Sequence, residues 1–301
     1  SGASAGSSGS SCVASGGLAD RWILSRLART VADVDRYLGG YQFNHYAQAL
    51  YDFFWRDLCD WYLEAIKPTV RTDTPAGAAN RAVLGACLDS ALRMLQPVMP
   101  FICEKMWSGL NAVLADRGID GVELPPSELC IHAAWPKVDA GIIDGAAEAD
   151  FALVQQVIGE LRNVRNQYTI APRQRVTVKL KATGDAERTL NTGADLIATL
   201  ANAEVAGIGP DVVRSDDAAV ATVGEVELIV EGLIDTGAER ERLSRRLAEL
   251  EKSRGALAGR LGNPGYVDKA PAHLVQQTRE QLADAEREIA SVNEALARLG
   301  E

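Results

Sequence analysis

The chain has 301 residues and a formal net charge of −10, with 47% hydrophobic and 24% charged residues. This balance excludes a protein that coats nucleic acid through charge alone, so any contact with phosphates must come from local basic patches. Because no apolar run reaches the roughly 18–20 residues of a membrane span and the five cysteines form no CxxC pair, we expect a cytoplasmic protein with reduced thiols and no membrane contact.

The first 147 residues divide into a linker and a helical bundle. Residues 1–17 are rich in Ser and Gly and predict a flexible linker. Residues 18–147 predict a bundle of four helices, at about 20–38, 43–67, 76–95 and 101–114. The second helix is rich in aromatic residues, and we expect its buried face to hold the residues that recur at steps of three and four: Phe43, Ala47, Leu50, Phe54, Leu58 and Trp61.

The rest of the chain predicts two further units, a small α/β subdomain and a helical hairpin. Together with the helical bundle they give a fold class that is mainly α. Residues 148–236 predict a small α/β subdomain, with a helix over 148–167, a strand over 176–181, a helix over 185–200 and two or three strands after it. Residues 237–301 carry two heptad patterns separated by a Gly/Pro turn at 262–265. Two such helices predict an antiparallel coiled-coil hairpin.

The usual catalytic signatures are absent from these 301 residues. We find no P-loop, no GxGxxG motif after a strand, no GxSxG and no HExxH. The three histidines are far apart, and the cysteines have no metal-ligand spacing. We therefore expect neither a catalytic nor a metal site.

Basic residues gather in two places. The first follows the helix at 148–167 and comprises Arg162, Arg165, Arg173, Arg175 and Lys179. These cations either complement the helix dipole or contact phosphates. The second is the first helix of the hairpin, with Arg242, Arg245, Arg246 and Arg254, where interhelical salt bridges and a phosphate-facing stripe both explain the pattern.

Several motifs then resemble one enzyme family. DRWILSRL (20–27), FNHYAQALYDFFWRDLCDWYLEAIKP (43–68) and LQPVMPFICEKMW (95–107) resemble the anticodon-binding helical domain of the class I synthetases for valine, isoleucine and leucine. The DFFWRDLCDWYLE string is most similar to valyl-tRNA synthetases. ERERLSRRLAELEK (239–252) with LGNPGYVDKAPAHLV (261–275) resembles their C-terminal coiled-coil arm, and the 162–180 segment resembles the connection to it.

The resemblance implies a function for each unit. The bundle would bind the anticodon stem-loop of valine tRNA, and the hairpin arm would contact the outer corner of that tRNA. The arginines above would then be phosphate contacts, with Lys179 beside them. For the anticodon itself the resemblance supplies no residue, and we assign Asn44, Arg81 and Arg93 only as polar positions near helix ends. A monomer is expected, with the catalytic portion of the synthetase and valine tRNA as its partners.

The family's ATP-site motifs and editing domain are missing from this chain. ATP and valine would be used by a catalytic domain that these residues do not include, so the chain alone is expected to bind no cofactor and to be inactive. Three alternatives stay open: a non-catalytic paralogue or coiled-coil interaction protein, the corresponding part of an isoleucyl or leucyl enzyme, and a synthetase whose catalytic half is a separate chain.

Overall fold

The computed structural model describes residues 16–298, except residues 115, 216, 234–235, 263–264 and 266–271. Most of the predicted linker at 1–17 therefore lies outside the described residues. Within the described part, no helix is long and apolar enough to cross a membrane.

Four helical segments form the bundle. The first segment is helix α1 (Leu18–Gly39). The second is one continuous run that consists of α2 (Phe43–Tyr51), a π-helical segment (Asp52–Leu63) and α3 (Glu64–Ile66). The third and fourth are α4 (Pro75–Leu95) and α5 (Pro100–Val113). The second helical run and α4 are antiparallel, because Tyr46 donates a hydrogen bond to the carbonyl of Met94 while Tyr62 lies beside Asn80 at the other end. The predicted four-helix bundle is confirmed.

A buried polar group joins three of these helices. The Tyr62 hydroxyl donates to a carboxylate oxygen of Asp20 over 2.6 Å, and the Asn80 amide donates to the same oxygen over 2.9 Å. Burial and the neighbouring Asp20 carboxylate raise the pKa of Tyr62. Buried polar groups are stable in this way only when each has a partner, so the three side chains fix the relative positions of their helices.

The aromatic helix buries a different face from the one predicted. In the π-helical segment hydrogen bonds reach five residues back, and the buried positions follow at steps of five and four: Phe53, Leu58 and Tyr62. The expectation was wrong for Phe43 and Ala47, which are exposed, whereas Leu50 and Leu58 are buried as predicted and Phe54 and Trp61 are half-buried. Trp55 stays about half exposed and lines an open apolar groove of about 590 Å³ between this helix and α5.

The chain between α5 and residue 145 wraps around the bundle and is held by buried arginines. Strands β1 (Val122–Glu123) and β2 (Lys137–Val138) pair antiparallel within it. Asp89 accepts hydrogen bonds from Arg93 (2.5 Å) and Arg117 (2.6 Å), and each of the three side chains is only 1% exposed. Both guanidinium groups lie over the Trp107 ring, at 5.1 Å and 4.6 Å from its centroid. Arg93 also donates to two carbonyls of the wrap.

The long helix α6 (Gly145–Gln167) connects the bundle to a four-stranded sheet. The sheet contains β3 (Val176–Lys181), β4 (Ala203–Ile208), β5 (Ala219–Val223) and β6 (Val226–Val230) in the order β4-β3-β6-β5. Only the β3–β4 pair is parallel, and its crossover consists of α7 (Gly184–Thr192) and α8 (Ala194–Leu200). The predicted α/β unit is thus present, with two helices where one was expected, and its core is continuous with that of the bundle.

The last two helices pack against each other as predicted. They are α9 (Thr236–Leu261) and α10 (Ala272–Arg298). Leu250 on α9 packs with Ile289 and Val292 on α10, and these residues are among the heptad positions. The predicted turn at 262–265 falls partly outside the described residues.

We expect the replacement Asp89→Asn to lower the free energy of unfolding by about 3–5 kcal/mol, because it leaves two buried guanidinium groups without their anion. Urea denaturation followed by circular dichroism measures the loss. Asp33→Asn is the matched control, since the Arg36–Asp33 pair is exposed and exposed ion pairs contribute little to stability. Equal losses in the two variants would contradict the role assigned to Asp89.

Asp144 predicts a dependence of stability on pH. The hydrogen bond from the Ala147 N–H, together with the Arg21 guanidinium, holds the pKa of Asp144 below its ordinary 3.8. A lowered pKa in the folded state stabilises the protein above pH 3.8, and this contribution disappears as the pH falls through the folded-state pKa. Asp144→Asn keeps the capping oxygen and loses the charge, so we expect it to cost less than about 1 kcal/mol at pH 7 and clearly less near pH 2 than at pH 7. Urea denaturation at both pH values tests this, and an equal cost at the two pH values would contradict it.

Candidate nucleic-acid interface

Three arginines donate to carbonyls at the C-terminal end of α8 or just after it, and a fourth lies on a turn that one of them contacts. Arg162 donates to the carbonyl of Leu200 (3.4 Å), and Arg175 donates to the carbonyl of Ala203 (3.3 Å). Arg165 reaches the carbonyl of Asn202 between them, at 3.5 Å. Arg173 projects from the turn that Arg165 also contacts. We call Arg162, Arg165, Arg173 and Arg175 the guanidinium cluster.

The cluster concentrates positive charge in an acidic protein. In the part of the chain that the structure describes, no carboxylate lies within 4 Å of these four side chains, whereas Lys179 is paired with Glu231, the residue directly after β6. The pairing makes Lys179 part of the sheet surface rather than of the cluster. The structure therefore brings together four of the five basic residues that the sequence singled out here.

The end of a helix explains part of this arrangement. The last carbonyls of α8 have no partners within the helix, and the negative end of its dipole attracts cations. An arginine has five N–H donors in a fixed plane, and Arg162 and Arg175 each use one of them here. Both side chains are exposed, and Arg162 also lies over the Trp61 ring at 5.3 Å. Their remaining donors face solvent in a geometry that suits phosphate oxygens.

A second surface, which sequence reasoning missed, lies where α1 meets α2. Tyr41 and Phe43 are 81% and 61% exposed, with their rings edge to face at 6.3 Å. Tyr37 stacks on His45 at 5.3 Å, and the Arg36 guanidinium lies 4.4 Å from the centroid of Tyr37. We call these five residues the aromatic end. The sequence signal that could have revealed this surface is the pair Tyr41 and Phe43, which directly follows the Gly39-Gly40 helix stop.

The backbone of the aromatic end is held in place locally. Tyr41 has a φ of +55°, which is uncommon for a residue with a side chain. Hydrogen bonds from Tyr41 N–H to Leu38 (3.1 Å) and from Gln42 N–H to Tyr37 (2.8 Å) close the turn. Exposed rings on a fixed turn can stack on unpaired nucleobases.

The three residues assigned to the anticodon lie in different places. Asn44 is exposed at the aromatic end. Arg81 holds the chain after α3 by donating to the carbonyls of Val70 and Thr72, at the opposite end of the bundle. Arg93 is 3% exposed and belongs to the Asp89 group. Only Asn44 therefore lies beside the exposed aromatic rings.

The four arginines predicted on the arm differ in their contacts and exposure. Arg246 donates to Glu288 on α10 over 2.6 Å, and this hydrogen bond raises the pKa of Arg246. Arg245 and Arg254 are exposed, while the side chain of Arg242 lies outside the described residues. Arg246 thus takes part in an interhelical salt bridge, one of the two uses expected for the basic residues of α9. Across the described residues, no group of three or more His, Cys, Asp or Glu side chains could hold a metal ion.

Two family models match this chain. The model of the anticodon-binding domain of tRNA ligases matches residues 20–180, and the model of the valyl-tRNA synthetase tRNA-binding arm matches residues 235–300. The first therefore covers α1 to β3, including both the aromatic end and the guanidinium cluster. The second covers the α9–α10 hairpin.

Similar curated proteins are named valine–tRNA ligase. Those from Nocardia farcinica and Streptomyces coelicolor are 36% and 35% identical to this chain over 285 and 292 residues, and that from Neisseria meningitidis is 34% identical over 281 residues. Each alignment covers 93–94% of this chain and 28–30% of the relative. The chain thus spans about a third or less of the length of the relatives it matches, and it belongs to the valyl-tRNA synthetase family.

Proposed function

We propose that this chain is a tRNA-binding portion of a valyl-tRNA synthetase. It would hold valine tRNA by the anticodon stem-loop and the outer corner while a catalytic portion joins valine to the tRNA with ATP. The observation that carries the proposal is the guanidinium cluster, four cations without a carboxylate within 4 Å in the described part of an acidic chain. Paired cations give little to an RNA, whereas the three exposed members of the cluster, Arg162, Arg173 and Arg175, have donors available for phosphates.

The two surfaces suit different parts of one RNA hairpin. The aromatic end lies at the start of α2, and Arg162 lies over Trp61, 18 residues further along the same helical run. At 1.5 Å per residue this is a separation of roughly 27 Å. Exposed rings favour unpaired loop bases, and guanidinium groups favour backbone phosphates. We infer that the anticodon loop meets the aromatic end and that phosphates beyond it meet the guanidinium cluster.

Other parts of the proposal rest on the family. The arm of the relatives is described as tRNA-binding, and α9–α10 supplies the corresponding hairpin with the exposed Arg245 and Arg254. The family model for the arm is that of valyl enzymes, which favours valine tRNA over isoleucine or leucine tRNA. We further propose a monomer in the cytoplasm; the four described cysteines are free thiols, as a reducing compartment favours.

The proposal is tested by titrating transcribed valine tRNA against the chain at several salt concentrations. We expect binding that weakens steeply with salt and a clear preference over an unrelated tRNA. No preference at moderate salt would refute the proposal and favour an interaction protein whose hairpin binds another helix.

The guanidinium cluster makes a specific prediction for Arg162→Gln. Loss of one phosphate contact should lower the slope of log K against log salt by about 0.7–0.9. Arg188→Gln is the control, because Arg188 is exposed and paired with Asp185 on α7, and its slope should match that of the unmodified chain. Equal slopes for all three proteins would show that Arg162 contacts no phosphate.

The aromatic end makes a different prediction for Tyr41→Gly. Glycine adopts the positive φ at this position without strain, so the variant removes the ring and keeps the turn. We expect the affinity for the anticodon stem-loop to fall by about 1–3 kcal/mol with an unchanged salt slope. A blunt duplex with the same stem serves as the control ligand and should bind both proteins equally. A uniform loss for hairpin and duplex would contradict base stacking.

A further inference from the structure

Arg165 differs from the other members of the guanidinium cluster because it is buried. Its exposed fraction is 8%, and its guanidinium is surrounded by backbone oxygens. One terminal nitrogen donates to the carbonyls of Ala171 (2.8 Å), Pro172 (3.2 Å) and Gln174 (2.7 Å). The other terminal nitrogen reaches the carbonyl of Asn202. Few of its donors remain for an outside ligand.

The carbonyls that Arg165 binds belong to one tight turn. The N–H of Gln174 donates to the carbonyl of Ala171 over 2.9 Å, so residues 171–174 form a β-turn with Pro172 at its second position. Arg173 is the third residue of that turn, and its side chain is exposed. Arg165 therefore binds the backbone on both sides of Arg173.

Asn202 holds the same turn from the other side. Its amide nitrogen donates to the carbonyl of Pro172 over 3.0 Å and to that of Gln174 over 3.5 Å. Asn202 has a φ of +49°, a conformation that asparagine tolerates better than most residues. Two side chains from separate elements thus converge on a turn of four residues.

A buried charge is costly unless polar groups surround it. In the described residues Arg165 has carbonyl oxygens around it and no carboxylate within 4 Å. The carbonyls stabilise the guanidinium without neutralising it, so the turn keeps a positive charge beside it. The fixed backbone also lowers the entropy that Arg173 loses when it binds a ligand. A loop of this length without such contacts would sample many conformations.

We propose that Arg165 and Asn202 are positioning residues that hold the 171–174 turn so that Arg173 contacts an RNA phosphate. This inference rests on the proposed function, and it assigns Arg165 to the support of the turn rather than to the RNA itself.

A double-mutant cycle tests the proposal with transcribed valine tRNA as the probe. Asn202→Gly removes the two hydrogen bonds and keeps the positive φ, and Arg173→Gln removes the phosphate contact. Each single variant should lose affinity, by about three- to tenfold for Arg173→Gln, with a salt slope lower by about 0.7–0.9. The double variant should lose little more than Arg173→Gln alone, since both changes remove the same contact.

Arg165→Gln provides a second cycle with Arg173→Gln. Thermal unfolding of each variant shows whether it folds. If Arg165→Gln does not fold, the cycle with Asn202→Gly still tests the proposal. If Arg165 touched a phosphate directly, the losses would add and the slope would fall by about 1.4–1.8 in the double variant. Additive losses in the Asn202 cycle would likewise overturn the positioning role.

The outcomes also separate this inference from the proposed function. If the unmodified chain shows no salt-dependent preference for valine tRNA, the proposed function fails, and the inference fails with it. If the unmodified chain binds and both cycles are additive, only the positioning role is wrong.

Discussion

The contact between α1 and α6 determines where the guanidinium cluster lies relative to the bundle. Trp22 stacks on Phe151 with ring centroids 4.0 Å apart, and Trp61 packs edge to face on Phe151 at 6.2 Å. Around these rings, Arg21 donates to Asp144 and Arg29 donates to Glu148. Aromatic contacts of this kind bury large areas and prefer defined geometries. They fix the start of α6 on the bundle, and its other end then carries Arg162 and Arg165 to α8.

Many of the positively charged side chains in this molecule are paired with carboxylates. The chain has ten more acidic than basic residues, yet many of its cations are used in pairs with carboxylates, from Arg26 with Asp57 to Arg246 with Glu288. Each such pair cancels locally and contributes little field at a distance. Arg162, Arg165 and Arg175 interact with carbonyls instead, and in the described residues no carboxylate lies within 4 Å to cancel their charge. An acidic protein can therefore present a local surface for phosphates.

Arginine serves four different purposes here, and the surroundings of each side chain decide which. Arg93 and Arg117 are buried against Asp89 and hold the wrap. Arg165 is buried among carbonyls and holds a turn. Arg246 joins the two helices of the arm. Arg162 and Arg173 are exposed, and they belong to the surface that we assign to RNA. The planar group with five donors makes all of these uses possible.

The sequence alone was enough for the order and type of the main elements. Periodicity, Gly and Pro positions and heptads are local properties, so they predicted the bundle, the strand Val176–Lys181 and the hairpin. They failed for the buried face of the aromatic helix. Phe43 and Ala47 of α2 are exposed, while Tyr46 of α2 and Phe53 and Tyr62 of the π-helical segment are buried. Which arginines reach solvent was decided only by the tertiary structure. Arg165 and Arg173 stand eight positions apart in one basic stretch, and only the packing of the 171–174 turn and Asn202 against Arg165 separates a buried support from an exposed side chain.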